Sequence, residues 1–314
     1  MAHEDGESTL TVLVAICANF GIAVAKAIAG ALSGSAAMLS ESAHSLADTA
    51  NEVLLLVAVK RSNRPADERH PFGYGRERYF WSLLAAVGIF VGGGVFAVYQ
   101  GVSKLIEGKG EGGHYALTYS VLAIAFVLEG VSWSQAVRQL RADARNTDRK
   151  FSDELWATSD PAATTVFLED TGALIGLCLA AGGVGLSQAT GDHFWDPVAS
   201  VLIGVLLAGI AYLLGRENRS LIIGEAADPR LRESIVALIR DYPEVTSIDE
   251  LLTMVTGRAQ VLVAARVDLE DDLPASRVEA MARRMEAEIQ REHPWVHYFF
   301  LDVTADGAGS PRGR

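Results

Sequence analysis

The sequence is poor in cysteine and in basic residues, and both shortages narrow its possible functions. Its two cysteines, Cys17 and Cys178, lie in apolar runs, where a cysteine is more often a small hydrophobic residue than half of a disulfide. The formal net charge is −12, so the positive surface that nucleic-acid binding requires is missing. No His-Glu-x-x-His run is present, which argues against a zinc hydrolase. We therefore expect no enzyme, no organic cofactor and no nucleic-acid partner.

Long apolar runs are abundant instead. Half of the residues are hydrophobic, and the mean hydropathy is +0.21. Six segments approach the roughly 20-residue length of a membrane-spanning helix. They are residues 10–32, 36–59, 79–105, 115–137, 161–186 and 195–214. The sequence therefore predicts an integral membrane protein with six transmembrane helices.

The loops between these segments differ in charge, and this difference predicts their orientation. Loops two and four are rich in cations, with Lys60, Arg61, Arg64, Arg69, Arg76, Arg78, Arg138, Arg141, Arg145, Arg149 and Lys150. The opposite loops hold only Lys104 and Lys109. Because cytoplasmic loops carry the excess of Lys and Arg, we expect both termini in the cytoplasm. We expect the membrane itself to be a bacterial inner membrane. The acidic stretch 1–9 lacks the cations of a signal peptide and is predicted to be a cytoplasmic tail.

The pattern after Arg219 is that of a small water-facing α+β domain. Between residues 225 and 306 there are nine arginines against seventeen Asp and Glu. Asp228 is expected to cap one helix and Ser276 a second, with strands predicted at 247–256, 260–268 and 297–304. The order αββαβ predicts two helices on one face of a small antiparallel sheet. The expected domains are thus 1–9, 10–223 and 224–305, followed by a disordered Gly/Pro-rich tail at 306–314.

Ionisable residues inside the apolar segments are the strongest functional signal. Glu41, His44 and Asp48 are spaced so that they share one face of the second helix. The fifth segment contains Glu169 and Asp170, which diverge by about 100° on a helix, so we expect only one of them to reach the same site. Carboxylates beside a neutral histidine form a ligand set for a divalent metal.

Other polar residues in these segments have a structural alternative. Lys26 is predicted either to serve the site or to pair with a carboxylate, and Asn19 and Asn51 to hydrogen-bond between helices. The same two interpretations remain open for Glu129. The glycines of the third segment, Gly88, Gly92, Gly93 and Gly94, are interpreted as points of close helix approach.

Several motifs together resemble the cation diffusion facilitator family, whose members export zinc and related divalent metals. The resemblance rests on four stretches: Gly34-Ser35-Ala36-Ala37 followed by Ser42-Ala43-His44-Ser45-Leu46-Ala47-Asp48, the loop from Pro65 to Glu77, Asp196-Pro197, and Leu221-Ile222-Ile223-Gly224-Glu225. It covers nearly the entire chain. It implies a homodimer joined through cytoplasmic ferredoxin-like domains, and export of a divalent cation in exchange for protons.

The resemblance also implies a ligand set, with two residues from helix two and two from helix five. His44, Asp48 and Asp170 match three of these positions, but the residue four before Asp170 is Val166, which cannot bind metal. The Leu-Glu-Asp run is similar to the mitochondrial zinc transporter branch. The fourth ligand is left open between Glu169, Glu41 and water. Zn²⁺ is the expected cargo, while an oxygen-rich set would admit Mn²⁺, Fe²⁺ or Co²⁺.

The resemblance points to two secondary metal sites as well. In the loop, Asp67 and His70 match positions that bind a second metal in some members, but Tyr74 stands where a histidine is expected. A turn or ion pair is the alternative there. In the tail, His293, His297 and Asp302 are candidates for metal sensing. A membrane metal sensor that does not transport is the remaining alternative function.

Overall fold

The structure of the chain is a computed structural model. It describes the backbone of residues 2–107, 115–146, 150–152, 155 and 161–304, and the side chains of that part except at 2–15, 18, 146 and 161–163. The predicted disordered tail at 306–314 lies outside the described residues. The chain divides into two compact units, which are Met1–Arg61 with Glu77–Arg219, and Ser62–Arg76 with Ser220–Arg314. We call them the helical unit and the mixed unit.

Long helices make up the helical unit. They are α1 (Ala2–Ser33), α2 (Ala36–Ser62), α3 (Glu77–Glu107), α4 (Tyr115–Asn146), α5 (Pro161–Thr190) and α6 (Trp195–Ile223). Each contains one of the six apolar segments. The first helix continues back to Ala2, through the stretch that the sequence predicts as a tail.

Four of these helices, α3 to α6, are long and apolar enough to cross a membrane. In the described part of α1, the apolar stretch Asn19–Ser33 is shorter than a full span. The second helix is less apolar for a different reason, because Glu41, His44, Asp48 and Glu52 lie among its apolar residues. Polar content thus lowers the hydropathy of the helix that holds most of the site.

Close helix approach was predicted for four glycines of α3, and two of the four, Gly93 and Gly94, do lie close to α6. A side chain on Gly94 would lie 3.3 Å from the backbone of Gly204 and Ala208, and one on Gly93 would meet Leu207 at 2.9 Å. Gly88 has no such neighbour within 4 Å. Residues Ile89–Val95 form a π-helical turn, a feature that often accompanies functional sites in membrane helices and elsewhere.

The start of α2 is fixed by α6. Asp196 receives a hydrogen bond of 2.5 Å from the Ser35 hydroxyl and one of 2.6 Å from the Ala36 backbone N–H. The carboxylate therefore caps the first turn of a neighbouring helix, where free N–H groups and the helix dipole favour an anion. One turn further, the hydroxyls of Ser40 and Ser200 lie 2.6 Å apart. These contacts hold α2 against α6 at one end.

The mixed unit contains α7 (Pro229–Arg240), β1 (Val245–Gly257), β2 (Gln260–Leu269), α8 (Ala275–Glu292) and β3 (Val296–Thr304). The order αββαβ agrees with the prediction. The sheet order is β1-β2-β3, with β1 and β2 antiparallel but β2 and β3 parallel. The expectation of an antiparallel sheet was therefore wrong for β3, because α8 carries the chain back across the sheet before β3 begins.

Of the two helix caps predicted for this unit, Asp228 is confirmed and Ser276 is wrong. The Asp228 carboxylate accepts a 2.8 Å hydrogen bond from the Arg230 N–H at the start of α7. The helix α8 instead begins at Ala275, with Pro274 at the cap position and no side-chain cap, so Ser276 lies in the first turn. The ring of Pro274 fixes the backbone φ angle where the chain enters α8, so the helix begins there without a side-chain hydroxyl as acceptor.

The core of the mixed unit lies between the two helices and one face of the sheet. Alternate residues of β2 are buried, as the sequence pattern predicts, and they pack against fully buried residues of both helices. This set comprises Val261, Val263, Ala265, Val267, Ile235, Ile239, Met281, Met285 and Ile289. Residues 62–76, which join α2 to α3 along the chain, belong to the same unit. In this loop Gly75 contacts the end of β1, and Phe72 packs edge-on against Tyr298 at 5.2 Å.

Substitution Asp196→Ala tests the cross-helix cap. We expect it to lower the stability of the helical unit by about 1–2 kcal/mol, because the Ala36 N–H loses its acceptor in a buried setting. Thermal unfolding of the full-length protein in detergent measures the change. Asp192→Ala is the matched control, since Asp192 is exposed and accepts a local bond from the Phe194 N–H. An equal loss in both variants would contradict the assigned role.

Candidate metal-binding site

The α2 face predicted from the sequence is present and points into the helical unit. His44 is 1% exposed, and its Nδ1 lies 3.4 Å from Oδ1 of Asp48. Neither ring nitrogen of His44 has a hydrogen-bond partner among the described residues, and neither has Oδ1 of Asp48. Buried polar atoms are normally paired, so these lone pairs are available to a ligand.

A cavity of about 310 Å³ lies between α1, α2, α4 and α5, beside this face. Its polar lining comes from ten side chains: Asn19, Ser45, Asp48, Asn51, Glu52, Glu129, Ser132, Gln135, Glu169 and Asp170. Five of these are carboxylates. The cavity reaches along α2 to Leu55, toward the helix end that carries Lys60 and Arg61. It therefore lies toward the end of the helices that leads into a cation-rich loop.

Both acidic residues of α5 line the cavity, whereas the sequence predicted that only one of them would reach the site of His44 and Asp48. The Asn51 amide donates to both oxygens of Glu169, at 2.5 and 2.7 Å, whereas Asp170 has a side-chain hydrogen bond to Ser132. The two side chains leave α5 about 100° apart around the helix axis. Both can still reach the cavity, because it lies between three helices, with Glu169 facing α2 and Asp170 facing α4.

Two carboxylates of this cavity were not assigned to the site from the sequence. Glu52 lies one helical turn beyond Asp48 and receives a 2.6 Å hydrogen bond from Asn19, while its Oε2 has no partner among the described residues. Glu129, for which a structural role was an open alternative, lines the cavity from α4. The i, i+4 spacing of Asp48 and Glu52 was the signal that would have identified the first of them.

The alternative structural roles of Lys26 and the two asparagines are confirmed. Lys26 pairs with Glu41 at 3.1 Å, and Asn19 and Asn51 donate to carboxylates of neighbouring helices. Glu41 is thereby engaged and does not line the cavity. Val166 does line it, at the position where the resemblance would place a fourth ligand.

The side chains are not arranged as a finished coordination sphere. Within the part of the chain that the structure describes, no three His, Cys, Asp or Glu side chains lie close enough together to hold a metal ion. The structure joins His44 to Asp48 and brings Asp48, Glu169 and Asp170 to one cavity. Completing a site would require these side chains to converge.

The loop residues Asp67 and His70 form a closed turn. Oδ1 of Asp67 accepts from the backbone N–H groups of Arg69 and His70, and Oδ2 accepts a 2.6 Å bond from the Tyr74 hydroxyl. The rings of His70 and Tyr74 contact each other in a tilted arrangement, with their centroids 4.3 Å apart. These bonds, first of all that from Tyr74, hold the pKa of Asp67 below its ordinary value of 3.8. Tyr74 thus fills, as a hydrogen-bond donor, the place of the expected third ligand.

The tail candidates each have a different partner. His293 bonds to the Ser234 hydroxyl at 2.9 Å, and Asp302 receives a 2.8 Å bond from Arg266. His297 lies 3.4 Å from the carbonyl of Trp295. Their contacts are those of structural polar residues.

Comparison with known proteins decides the family. A profile of the cation efflux transmembrane domain matches residues 12–223. The chain belongs to the cation efflux family, also known as the cation diffusion facilitators. The matched segment contains α1 from residue 12 onward, all of α2 to α6, and every residue that lines the cavity. The resemblance seen in the helix-two and loop motifs is therefore confirmed.

Individual relatives of the cation efflux family cover the chain to different extents. The chain is 34% identical over 260 residues to the human mitochondrial proton-coupled zinc antiporter SLC30A9, which is 82% of this chain and 45% of that protein. It is 30% identical to metal tolerance protein C4 of Arabidopsis thaliana, over 86% of this chain and 59% of the relative. The chain spans about half the length of these relatives. The manganese efflux system protein MneP of Bacillus subtilis is 23% identical over 93% of this chain and 94% of its own length.

The hydrogen bond from Tyr74 predicts how the Asp67 carboxyl titrates. In Tyr74→Phe the pKa of Asp67 should rise toward 3.8, because the largest contribution to its lowering is removed. Since the folded-state pKa is depressed, the bond stabilises the loop above pH 3.8 and is lost as the pH falls through the lower folded value. A ¹³C titration of labelled aspartate in the full-length protein measures it, with Asp67→Asn for assignment.

Tyr298→Phe is the matched control for this titration, because the Tyr298 ring packs in the same unit without bonding Asp67. An Asp67 pKa that stays the same in Tyr74→Phe would show that the backbone N–H groups alone set it.

Proposed function

We propose that the protein exports a divalent metal cation, with Zn²⁺ as the favoured cargo, from the cytoplasm in exchange for protons. The observation that carries this proposal is the cavity with five carboxylates inside the helical unit. Beside it, His44 lies 3.4 Å from Asp48, and its ring nitrogens have no hydrogen-bond partner among the described residues. Similarity to a protein named as a proton-coupled zinc antiporter supports the coupling and the metal. The metal is the substrate and passes through the site.

The charge of the cavity is the physical basis of the exchange. Carboxylates in the interior of a membrane protein each cost several kcal/mol when ionised and unpaired, so five of them require protons or cations. Metal binding needs the ionised form, and protonation releases the metal. The same groups thus serve both substrates in turn, which is what antiport requires.

We assign Asp48 and Asp170 of the cavity wall as metal ligands, together with His44, which does not line the cavity but lies 3.4 Å from Asp48, and with Glu169 as the fourth. Asn51 holds Glu169 through both oxygens and is placed to orient that carboxylate. Glu41 is excluded from the ligand set by its bond to Lys26. Convergence of α2 and α5 around the cation would complete the coordination, in keeping with alternating access, in which the helices close around a bound ion.

The choice of metal follows from the donor atoms. A single imidazole with carboxylates suits Zn²⁺, which accepts nitrogen and oxygen in a tetrahedral set. The second candidate is export of Mn²⁺, Fe²⁺ or Co²⁺, and the oxygen-rich cavity favours it. The similarity to the manganese efflux protein MneP over nearly its whole length points the same way.

The surroundings of the transporter are part of the same proposal. Six spans with both termini in the cytoplasm agree with the cation-rich loops after α2 and α4. Similarity over nearly the full length to a protein of Bacillus subtilis supports a bacterial cell membrane. We further propose domain bounds of 10–223 and 224–305, a ferredoxin-like cytoplasmic domain and a homodimer joined through it, as the family resemblance implies. A sensor that binds metal without moving it is distinguished by the flux experiment below.

Removal of the α2 ligands should abolish transport. In proteoliposomes of the full-length protein, His44→Ala and Asp48→Ala should each reduce Zn²⁺-driven proton flux by about a hundredfold, because each removes one of the four proposed ligands. His193→Ala is the control, since His193 is exposed in the connection between α5 and α6.

Flux and binding must be measured on the same preparations. Metal binding with no flux in the wild-type protein would identify a sensor and contradict transport. Flux that survives both α2 substitutions would place the metal elsewhere.

A further inference from the structure

An ion pair lies directly beyond the acidic cavity and has no place among the proposed ligands. The Lys26 ammonium on α1 lies 3.1 Å from Oε2 of Glu41 on α2, and both side chains are 0% exposed. Lys26 also donates a 2.7 Å hydrogen bond to the Ser45 hydroxyl. Ser45 in turn lines the cavity, so the lysine reaches from the pair to the cavity wall.

The pair separates two very different environments. On one side is the acidic cavity, and on the other is a core made mostly of small apolar residues. This core contains Ala29, Ala37, Met38, Ala97, Leu122, Ala125, Leu177, Ala180, Ala199, Ile203 and Leu207. These residues belong to the ends of the helices that lie away from the cation-rich loops. Glu41 is three residues before His44, which is roughly 4.5 Å along the helix axis toward that apolar end.

Helix α5 closes the third side of the pair. Gly176 contacts Oε1 of Glu41 so closely that even a methyl group in its place would collide with the carboxylate. Oε1 has no hydrogen-bond partner among the described residues. Three helices therefore meet at this one carboxylate, two of which carry the proposed metal ligands.

Stability alone gives no reason for the pair. Removing two charges from water costs several kcal/mol per ion, and apolar residues of similar size often stabilise a buried site as well or better. An ion pair differs from an apolar contact in that water can solvate both groups when the helices separate. A polar contact of this kind can be made and broken during a conformational cycle, whereas an apolar plug favours the closed state only.

We infer that the Lys26–Glu41 pair is the gate that closes the metal site toward the apolar end of the helices. It must part before a cation can leave on that side, and the ammonium prevents a cation from leaking through while the gate is closed. Lys26 and Glu41 are thus positioning residues that act on access to the site and make no bond to the metal. This inference rests on the proposed transport function.

The apolar variant Lys26→Met with Glu41→Met separates a gate from a structural pair. We expect the full-length double variant to fold, to bind Zn²⁺ from the cytoplasmic side, and to lose flux by about tenfold or more, because the apolar contact resists opening. Arg283→Met with Glu279→Met is the matched control, since it removes an exposed pair in α8 and should leave flux unchanged. A folded double variant with wild-type flux would overturn the gate.

A second variant keeps the test decisive if the double variant does not fold. Glu41→Gln retains the shape and weakens only the ionic attraction, so the gate should open more often. In a Cys17→Ser, Cys178→Ser background, Ala37→Cys places a thiol in the core beyond the gate. A membrane-impermeant maleimide applied from the far side should label it about threefold faster or more in Glu41→Gln. An equal or slower rate would overturn the gate.

The two proposals fail in different ways. A wild-type protein that moves no metal contradicts the transport function, whereas wild-type transport together with a freely transporting apolar variant contradicts the gate alone.

Discussion

The structure depends on how charge is kept inside a bundle of apolar helices. A charged group that leaves water needs an opposite charge, a set of hydrogen bonds or a proton. Lys26 pairs with Oε2 of Glu41, and Asn51 donates to both oxygens of Glu169. Both ring nitrogens of His44 and Oδ1 of Asp48 remain without hydrogen-bond partners among the described residues. The unmet demand is concentrated where α2 faces the cavity, and a divalent cation or protons can meet it.

The surrounding contacts explain how this arrangement can be both held and released. At one end, Asp196 caps α2 and Ser40 meets Ser200, so α2 and α6 are joined through polar contacts. At the level of the site, the contacts between α1, α2 and α5 are ion pairs and amide–carboxylate bonds. Polar contacts of both kinds can exchange partners with water or a metal, while the packed core of alanines and leucines cannot. In our account the moving surfaces are therefore the polar ones.

Much of this could be predicted from the sequence, because apolar length and helical spacing are local signals. The spacing of His44 and Asp48 placed them on one face, and the αββαβ order was correct. The parallel pairing of β3 was not predicted, because strand direction depends on where α8 returns the chain. Glu52 was missed since it sits near the end of an apolar run, where a carboxylate ordinarily reaches water. The roles of Glu169 and Asp170 depend on a cavity between three helices, which no single segment encodes.

The central claim is that His44 and carboxylates of α2 and α5 hold the transported ion, and metal X-ray absorption tests it most directly. The full-length protein loaded with one equivalent of Zn²⁺ should show a first shell of one imidazole nitrogen with oxygens. In His44→Gln the imidazole scattering should disappear while the oxygen shell remains. An imidazole signal that persists unchanged in His44→Gln would place the metal at another histidine and contradict the account.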